Sequence, residues 1–193
     1  MKPDIFRAFF LLSLCAALAA AIRARANEQP PSLPRGHAHN DYEHGRPLFD
    51  ALEHGFTSVE ADVWLVDGEL LVAHDRENVQ SGKTLASLYL DPLDKLVQQE
   101  GHSVYPGWDG SLQLLIDIKS DGESTYAAIE QELRKHPALM TLYSKGKVST
   151  GPVTAVISGN RPLTTMQAED KRYGFSTDAQ PTLPPGCPRR SCR

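Results

Sequence analysis

The sequence predicts an α/β fold: a parallel sheet with helices outside it. Two observations carry this. Apolar strand-like runs alternate with segments of helical period, in the order β-α-β-(hairpin)-α-β-α-β. Three of the strand-like runs also hold two chemically capable residues two apart. On a strand, positions i and i+2 share a face, roughly 6–7 Å apart.

The elements follow in order. A first strand end carries His37 to Asn40. Pro47 to Glu53 reads as a short helix, with Leu48, Ala51 and Leu52 on one face and Gly55 as its stop. Phe56 to Val66 is a strand. Asp67-Gly68 after it is a strong hairpin signal, and Glu69 to His74 returns antiparallel. Thr84 to Leu90 reads as helical. Asp91-Pro92 then supplies an N-cap and a first-turn proline for a helix to about Gln99. Ser111 to Ile118 is a buried strand by its apolar density. Glu123 to His136 is amphipathic through Tyr126, Ile129 and Leu133, and Pro137 ends it. Val153 to Ile157 is a β-branched strand. Beyond Arg161 the pattern weakens, with a short fifth strand expected at Tyr173 to Ser176.

The ends read differently. Lys2 and Arg7 precede an apolar run from Ala8 to Ile22, and Ala24-Arg25-Ala26 is an A-x-A site. Residues 1–26 therefore read as a secretory signal peptide, which predicts a secreted or periplasmic protein. The run is shorter than the ~20 residues a membrane span needs, so no span is expected after cleavage. Residues 27–35 form a Pro-rich lead-in, 36–176 the domain, and 177–193 a Pro/Arg-rich tail without apolar period that reads as disordered. Of the three cysteines, Cys187 and Cys192 fall in that tail, where a small disulfide loop or two free thiols are equally open. The net charge of −4, with no basic block before the last few residues, gives no sign of a nucleic-acid partner, and none is expected.

The polar pairs carry the chemistry. They are His37 and His39 in GHAHND, Glu60 and Asp62 in TSVEADVWL, and Asp117 and Lys119 in LQLLIDIKS. In parallel α/β folds functional residues gather at the carboxyl ends of strands, where His39, Asp62, Lys119 and Ser158 fall. Burying unpartnered carboxylates is expensive, so three on one face suggest a cation that neutralises them. Glu60, Asp62 and Asp117 are hard oxygen donors, suited to one Mg²⁺ or Ca²⁺. Such an ion would polarise a phosphoryl oxygen. His39 and His74 have the side-chain type for general base and acid. Lys119 adds fixed positive charge.

HAHNDY, VEADVWLVDGELLVAHD and LLIDIKS together resemble the phospholipase C-like phosphodiesterase superfamily. The resemblance is nearest its glycerophosphodiester phosphodiesterase and phosphatidylinositol phospholipase C-like group, with the altered inheritance of mitochondria protein 6-like members. It covers about Arg35 to Arg161. It implies a TIM barrel that hydrolyses phosphodiesters, a small molecule or a lipid head group, with two histidines and one divalent ion. On it, the first catalytic histidine falls on His39 and the second on His74. The E-x-D metal pair falls on Glu60 and Asp62, the third acidic ligand on Asp117, and the family lysine on Lys119. Where many relatives read His-Arg-Gly, this chain has His39-Asn40-Asp41, which leaves Asn40 to hold phosphate in place of the arginine. A TIM barrel typically takes ~250 residues. This pattern therefore reads as the first half of one, with open sheet edges through which copies could associate.

Other readings compete. A strand with one wet face alternates in the same way, so Glu60 and Asp62 could be surface charges. Asp117 and Lys119 could be a simple ion pair. His74 could be a packed core histidine. His37 divides evenly between orienting another site group and packing. His37-x-His39 also resembles the start of amidohydrolases and of related metal-dependent phosphoesterases. Those use several later histidines, and here none follows His136. The last alternative is a non-catalytic barrel fragment.

Overall fold

The computed structural model describes residues Ser32–Ser176. The expected signal peptide (1–26), most of the lead-in, and the tail with Cys187 and Cys192 lie outside the described residues. Among those described, no helix is long and apolar enough to cross a membrane.

Strand β1 (Leu33–Ala38) is followed by a 3₁₀ turn at Asp41–Glu43 and helix α1 (Phe49–Glu53). Strands β2 (Phe56–Val66) and β3 (Glu69–Val72) form the hairpin foreseen at Asp67-Gly68. Both turn residues have positive φ, 51° and 87°, as a type I′ turn requires. Next come a one-turn π-helix (Ala86–Leu90), α2 (Asp91–Gln99), β4 (Leu112–Ile118) and α3 (Gly122–Leu133). The rest is β5 (Leu142–Ser144), β6 (Lys147–Ser149), β7 (Val153–Gly159), α4 (Leu163–Ala168), β8 (Lys171–Arg172) and β9 (Gly174–Ser176).

The main sheet has the order β1-β2-β4-β7-β9, with every neighbouring pair parallel. Each new parallel strand is laid beside the previous one, as in a singly wound, partial-barrel arrangement. Among the described residues β1 and β9 are its two ends, and no closed barrel forms. β3 pairs antiparallel with Val63–Val66, the far half of β2. Val63 pairs with both Ile118 and Val72, so β3 continues the edge that β1 occupies lower down. Pro34 lies in β1, where an end strand tolerates its missing N–H.

One face of the sheet is the core. Val59, Ala61, Val63, Leu112, Leu114, Ile116, Ile118, Val153, Ala155 and Ile157 are buried there, in one cluster with Leu93, Tyr126, Ile129 and Leu133 of the helices. Alternation then sends Glu60, Asp62, Asp117 and Ser158 to the opposite face. Register puts Asp62, Asp117 and Ser158 side by side on three adjacent strands.

Three elements depart from the expected pattern. Asp91 is not an N-cap: Leu90 and Asp91 are both right-handed helical, and the chain runs on from Ala86 into α2. Pro92 has no N–H to give and its ring crowds the carbonyl four residues back, which the wider π turn accommodates. Helix α3 stops at Leu133 rather than His136: beyond it the chain tightens, Lys135 N and His136 N donating to the carbonyls of Glu132 and Leu133 three residues back, before Pro137. A second sheet, β6-β5-β8, was not foreseen. Its hairpin turns on Lys145-Gly146, both at positive φ, without the Asn or Asp that usually marks such a turn.

Candidate active site

The site is assembled at the carboxyl ends of β1, β2, β3 and β4. Glu60 and Asp62 are buried, only 6 % and 1 % exposed, so they do not lie on a wet face. Asp62 is the hub. Its Oδ2 accepts from Tyr42 Oη at 2.9 Å and lies 3.0 Å from both His74 Nδ1 and Lys119 Nζ. Its Oδ1 is buried without a hydrogen-bond partner among the described residues. Lys119 also reaches Asp117 Oδ1 at 3.2 Å, and Ser158 Oγ donates to Asp117 Oδ2 at 3.0 Å.

Glu60 anchors the histidines of the first strand. His39 Nδ1 hydrogen-bonds Glu60 Oε2, and His37 Nε2 lies 3.4 Å from the same oxygen. His37 Nδ1 is 2.8 Å from Ser58 Oγ. Two groups therefore have donor atoms mutually within 4.8 Å: Glu60, Asp62 and Asp117, and His37, His39 and Glu60. The all-oxygen group fits a hard divalent cation, and the unsatisfied buried oxygen of Asp62 is the kind of atom that such an ion would take up.

The histidines share one geometry. His39 and His74 each turn Nδ1 to a buried carboxylate, which fixes the tautomer with the proton on Nδ1 and leaves Nε2 as acceptor. Both side chains are half or more exposed, so that acceptor is open to a ligand.

Asn40 follows β1 in left-handed geometry (φ 49°, ψ 42°), which Asn tolerates better than most residues. Its carbonyl accepts from Glu43 N at 2.9 Å, and its side-chain Oδ1 is buried without a partner among the described residues. The turn sends Asp41 inward, away from the site. Asp41 accepts from Leu48 N at 2.5 Å and Tyr89 Oη at 3.0 Å, and burial raises its pKa despite those bonds. The same turn brings Tyr42 onto Asp62. Burial, then the bond to Asp62, pushes the Tyr42 phenol up. Burial alone would lower Lys119, but hydrogen bonding to Asp62 and the charges of Asp62 and Asp117 outweigh it and raise its pKa.

The structure thus brings His37, His39, Glu60, Asp62, His74, Asp117 and Lys119 together; Asn40 directly follows His39 in the chain, and its carbonyl contact is within the turn, to Glu43 N. Sequence reasoning missed Tyr42 and Ser58. Tyr42 belongs to no strand or helix period, and only the turn at Asn40 delivers it. Gly159 was also missed. It has φ 63°, and a Cβ there would sit 2.4 Å from Asp117 Oδ1.

A family model described as the AIM6-like phosphodiesterase domain matches residues 32–176. The chain belongs to that family. Similar curated proteins include altered inheritance of mitochondria protein 6 from Kluyveromyces lactis, 35% identical over 163 residues, covering 68% of this chain and 39% of the relative. The protein of that name from Lachancea thermotolerans is 34% identical over 167 residues, covering 75% and 39%. A homolog from Arthroderma benhamiae is 32% identical over 174 residues, covering 76% and 55%. The chain thus spans about two-fifths to a little over half the length of these relatives. No solved structure matches it. Family membership and the two donor clusters together support a phosphoesterase site with capacity for a divalent cation.

Proposed function

We propose that this domain is a metal-dependent phosphoric diester hydrolase acting on a glycerophosphodiester or a phospholipid head group, its sheet forming part of a TIM-type barrel. One observation carries the reading: two histidines, each tied through Nδ1 to a different buried carboxylate, flank one cluster of oxygen donors. Mg²⁺ or Ca²⁺ held by Glu60, Asp62 and Asp117 would polarise the phosphoryl group.

The chain's own residues do the rest. His39 Nε2 accepts the proton of the attacking hydroxyl, and Glu60 stabilises the imidazolium that results. His74, protonated, donates from Nε2 to the leaving oxygen while Asp62 holds Nδ1. Lys119 stabilises charge that grows on the phosphoryl oxygens. Asn40 and His37 contact the substrate at the rim. If a neighbouring hydroxyl of the substrate attacks first, the product is a cyclic phosphate. The charged and then apolar start of the sequence supports export as the setting.

The exposure of His39 and His74 also favours a second reading, in which the chain is a non-catalytic fragment whose site lacks walls. One experiment separates the two. The purified chain is incubated with glycerophosphodiesters and lysophospholipids in Mg²⁺, in Ca²⁺ and in chelator, and products are followed by phosphorus NMR. Cation-dependent monoester or cyclic phosphate supports the hydrolase. No turnover of any diester with either ion overturns it in favour of the fragment.

A further inference from the structure

The oxygen cluster accounts for Glu60, Asp62 and Asp117, but it leaves a second donor set beside it. We propose that His37 Nε2, His39 Nδ1 and Glu60 Oε2 form a separate site for a borderline transition metal such as Zn²⁺, and that filling it switches off His39 as a base. The switching part rests on the hydrolase reading above. The binding part stands alone.

Three observations support the site. Its donors are two imidazoles and one carboxylate, a set that favours zinc over Mg²⁺ or Ca²⁺. Each of the three residues offers a donor atom within 4.8 Å of the other two, and His37 Nε2 and His39 Nδ1 both face Glu60 Oε2. Donors around a tetrahedral zinc, with bonds of ~2.0–2.1 Å, lie ~3.3–3.4 Å apart; His37 Nε2 is already 3.4 Å from Glu60 Oε2, while His39 Nδ1 and Glu60 Oε2, now joined by a hydrogen bond, must move apart as the metal replaces the proton between them. Access is open as well. His37 and His39 line a cavity of about 470 Å³ that also reaches His44 and His54.

The switch follows from imidazole chemistry. A neutral ring has one N–H and one lone pair. Without zinc, the Nδ1 proton of His39 goes to Glu60 and the lone pair sits on Nε2, ready to accept. When zinc binds, the His39 Nδ1 lone pair forms the new bond, so the ring's one proton must sit on Nε2. Nε2 then donates and no longer accepts, and the base is lost. Glu60 is common to both clusters, so the second metal would also draw on a ligand of the first.

The test uses Co²⁺ as a spectroscopic stand-in and Zn²⁺ by calorimetry, both with Mg²⁺ in excess, on the wild-type chain, His37→Gln and Asp117→Asn. We expect a tetrahedral cobalt absorption band and one zinc bound in the wild type. His37→Gln should weaken zinc by roughly 100-fold, whereas Asp117→Asn should retain the band. Circular dichroism confirms that each variant folds, and His37→Ala repeats the test if His37→Gln does not. Zinc affinity that falls with Asp117→Asn and not with His37→Gln would place the metal in the oxygen cluster and overturn the proposal, as would the absence of zinc binding. Where turnover is measurable, zinc should inhibit the wild type in excess Mg²⁺, and the concentration needed should rise about as far in His37→Gln. Turnover unaffected at full zinc occupancy would overturn the switch. A chain that binds zinc as described yet turns over no diester counts against the hydrolase reading alone.

Discussion

Lys119→Met should destabilise the cation-free protein and leave the cation-bound protein little changed. The donor oxygens of Glu60, Asp62 and Asp117 lie within 4.8 Å of one another. At an effective dielectric constant of about 20, each pair of unit charges no farther apart than that repels by at least about 3.5 kcal/mol. Lys119 lies 3.0 Å from Asp62 and 3.2 Å from Asp117, attractions of about 5 kcal/mol each on the same scale. The two attractions offset a large part of the three repulsions. Lys119 is therefore the internal counter-ion of the carboxylate cluster. Solvent relaxation reduces the loss, and removing one partner of a buried pair typically costs about 3–5 kcal/mol. The ammonium is partly exposed, so the low end applies, about 3 kcal/mol. For a domain of this size that is a fall in melting temperature of about 6–12 °C. A divalent cation takes over the same role and meets no competing ammonium in the variant, so it should stabilise the variant more than the wild type. The assay is thermal melting of both proteins in chelator and across a Mg²⁺ or Ca²⁺ titration. Equal cation-induced gains in the two, or no loss for the variant in chelator, would refute the reasoning.

Other consequences follow from the same geometry. His39→Gln and His74→Gln should each lower kcat by about 10²–10⁴-fold with smaller changes in KM, checked by steady-state kinetics. Tyr42→Phe removes one of three contacts to Asp62 Oδ2, and should cost about 1 kcal/mol in denaturant melts while leaving the fold intact. Gly159→Ala should cost about 2–3 kcal/mol and weaken cation binding, because its Cβ would collide with Asp117 Oδ1 and the backbone of Ile118 at positive φ. Lys119 is also a source of pH dependence. Its folded pKa is raised above the ordinary 10.5, so its contribution is complete below that value and is lost as pH climbs through the higher folded value. Cation-free melts at alkaline pH should therefore fall more steeply for the wild type than for Lys119→Met. Matching slopes would remove Lys119 from the account.

Much of this is legible in the sequence, and the reason is periodicity. Glu60 and Asp62 alternate with Val59, Ala61 and Val63, and Asp117 alternates with Ile116 and Ile118, so apolar residues facing helices force the acids to the other face. The parallel register of β2 and β4, Ser58–Val63 against Gln113–Ile118, then aligns Asp62 with Asp117. Asp67-Gly68 fixes the hairpin that returns the chain to His74. What periodicity could not show is what turns deliver. Tyr42 reaches Asp62 only because Asn40 adopts left-handed geometry. The hairpin at Lys145-Gly146 lacks the usual Asn or Asp, and α4 has too few residues for a period. Asp91-Pro92 misled because the dipeptide that starts a helix can also lie within one when a π turn precedes it. The open sheet leaves the TIM-type barrel a proposal for the longer proteins in which this domain is found.

The most direct test joins binding to turnover in one variant. Asp62→Asn keeps the shape of the hub side chain but removes its charge, and the same preparation is used for Mg²⁺ or Ca²⁺ calorimetry and for the phosphodiester assay. The account predicts that cation binding and turnover are lost together, and that the wild type in chelator behaves as the variant does. Full turnover by Asp62→Asn, or by the wild type in chelator, would contradict it.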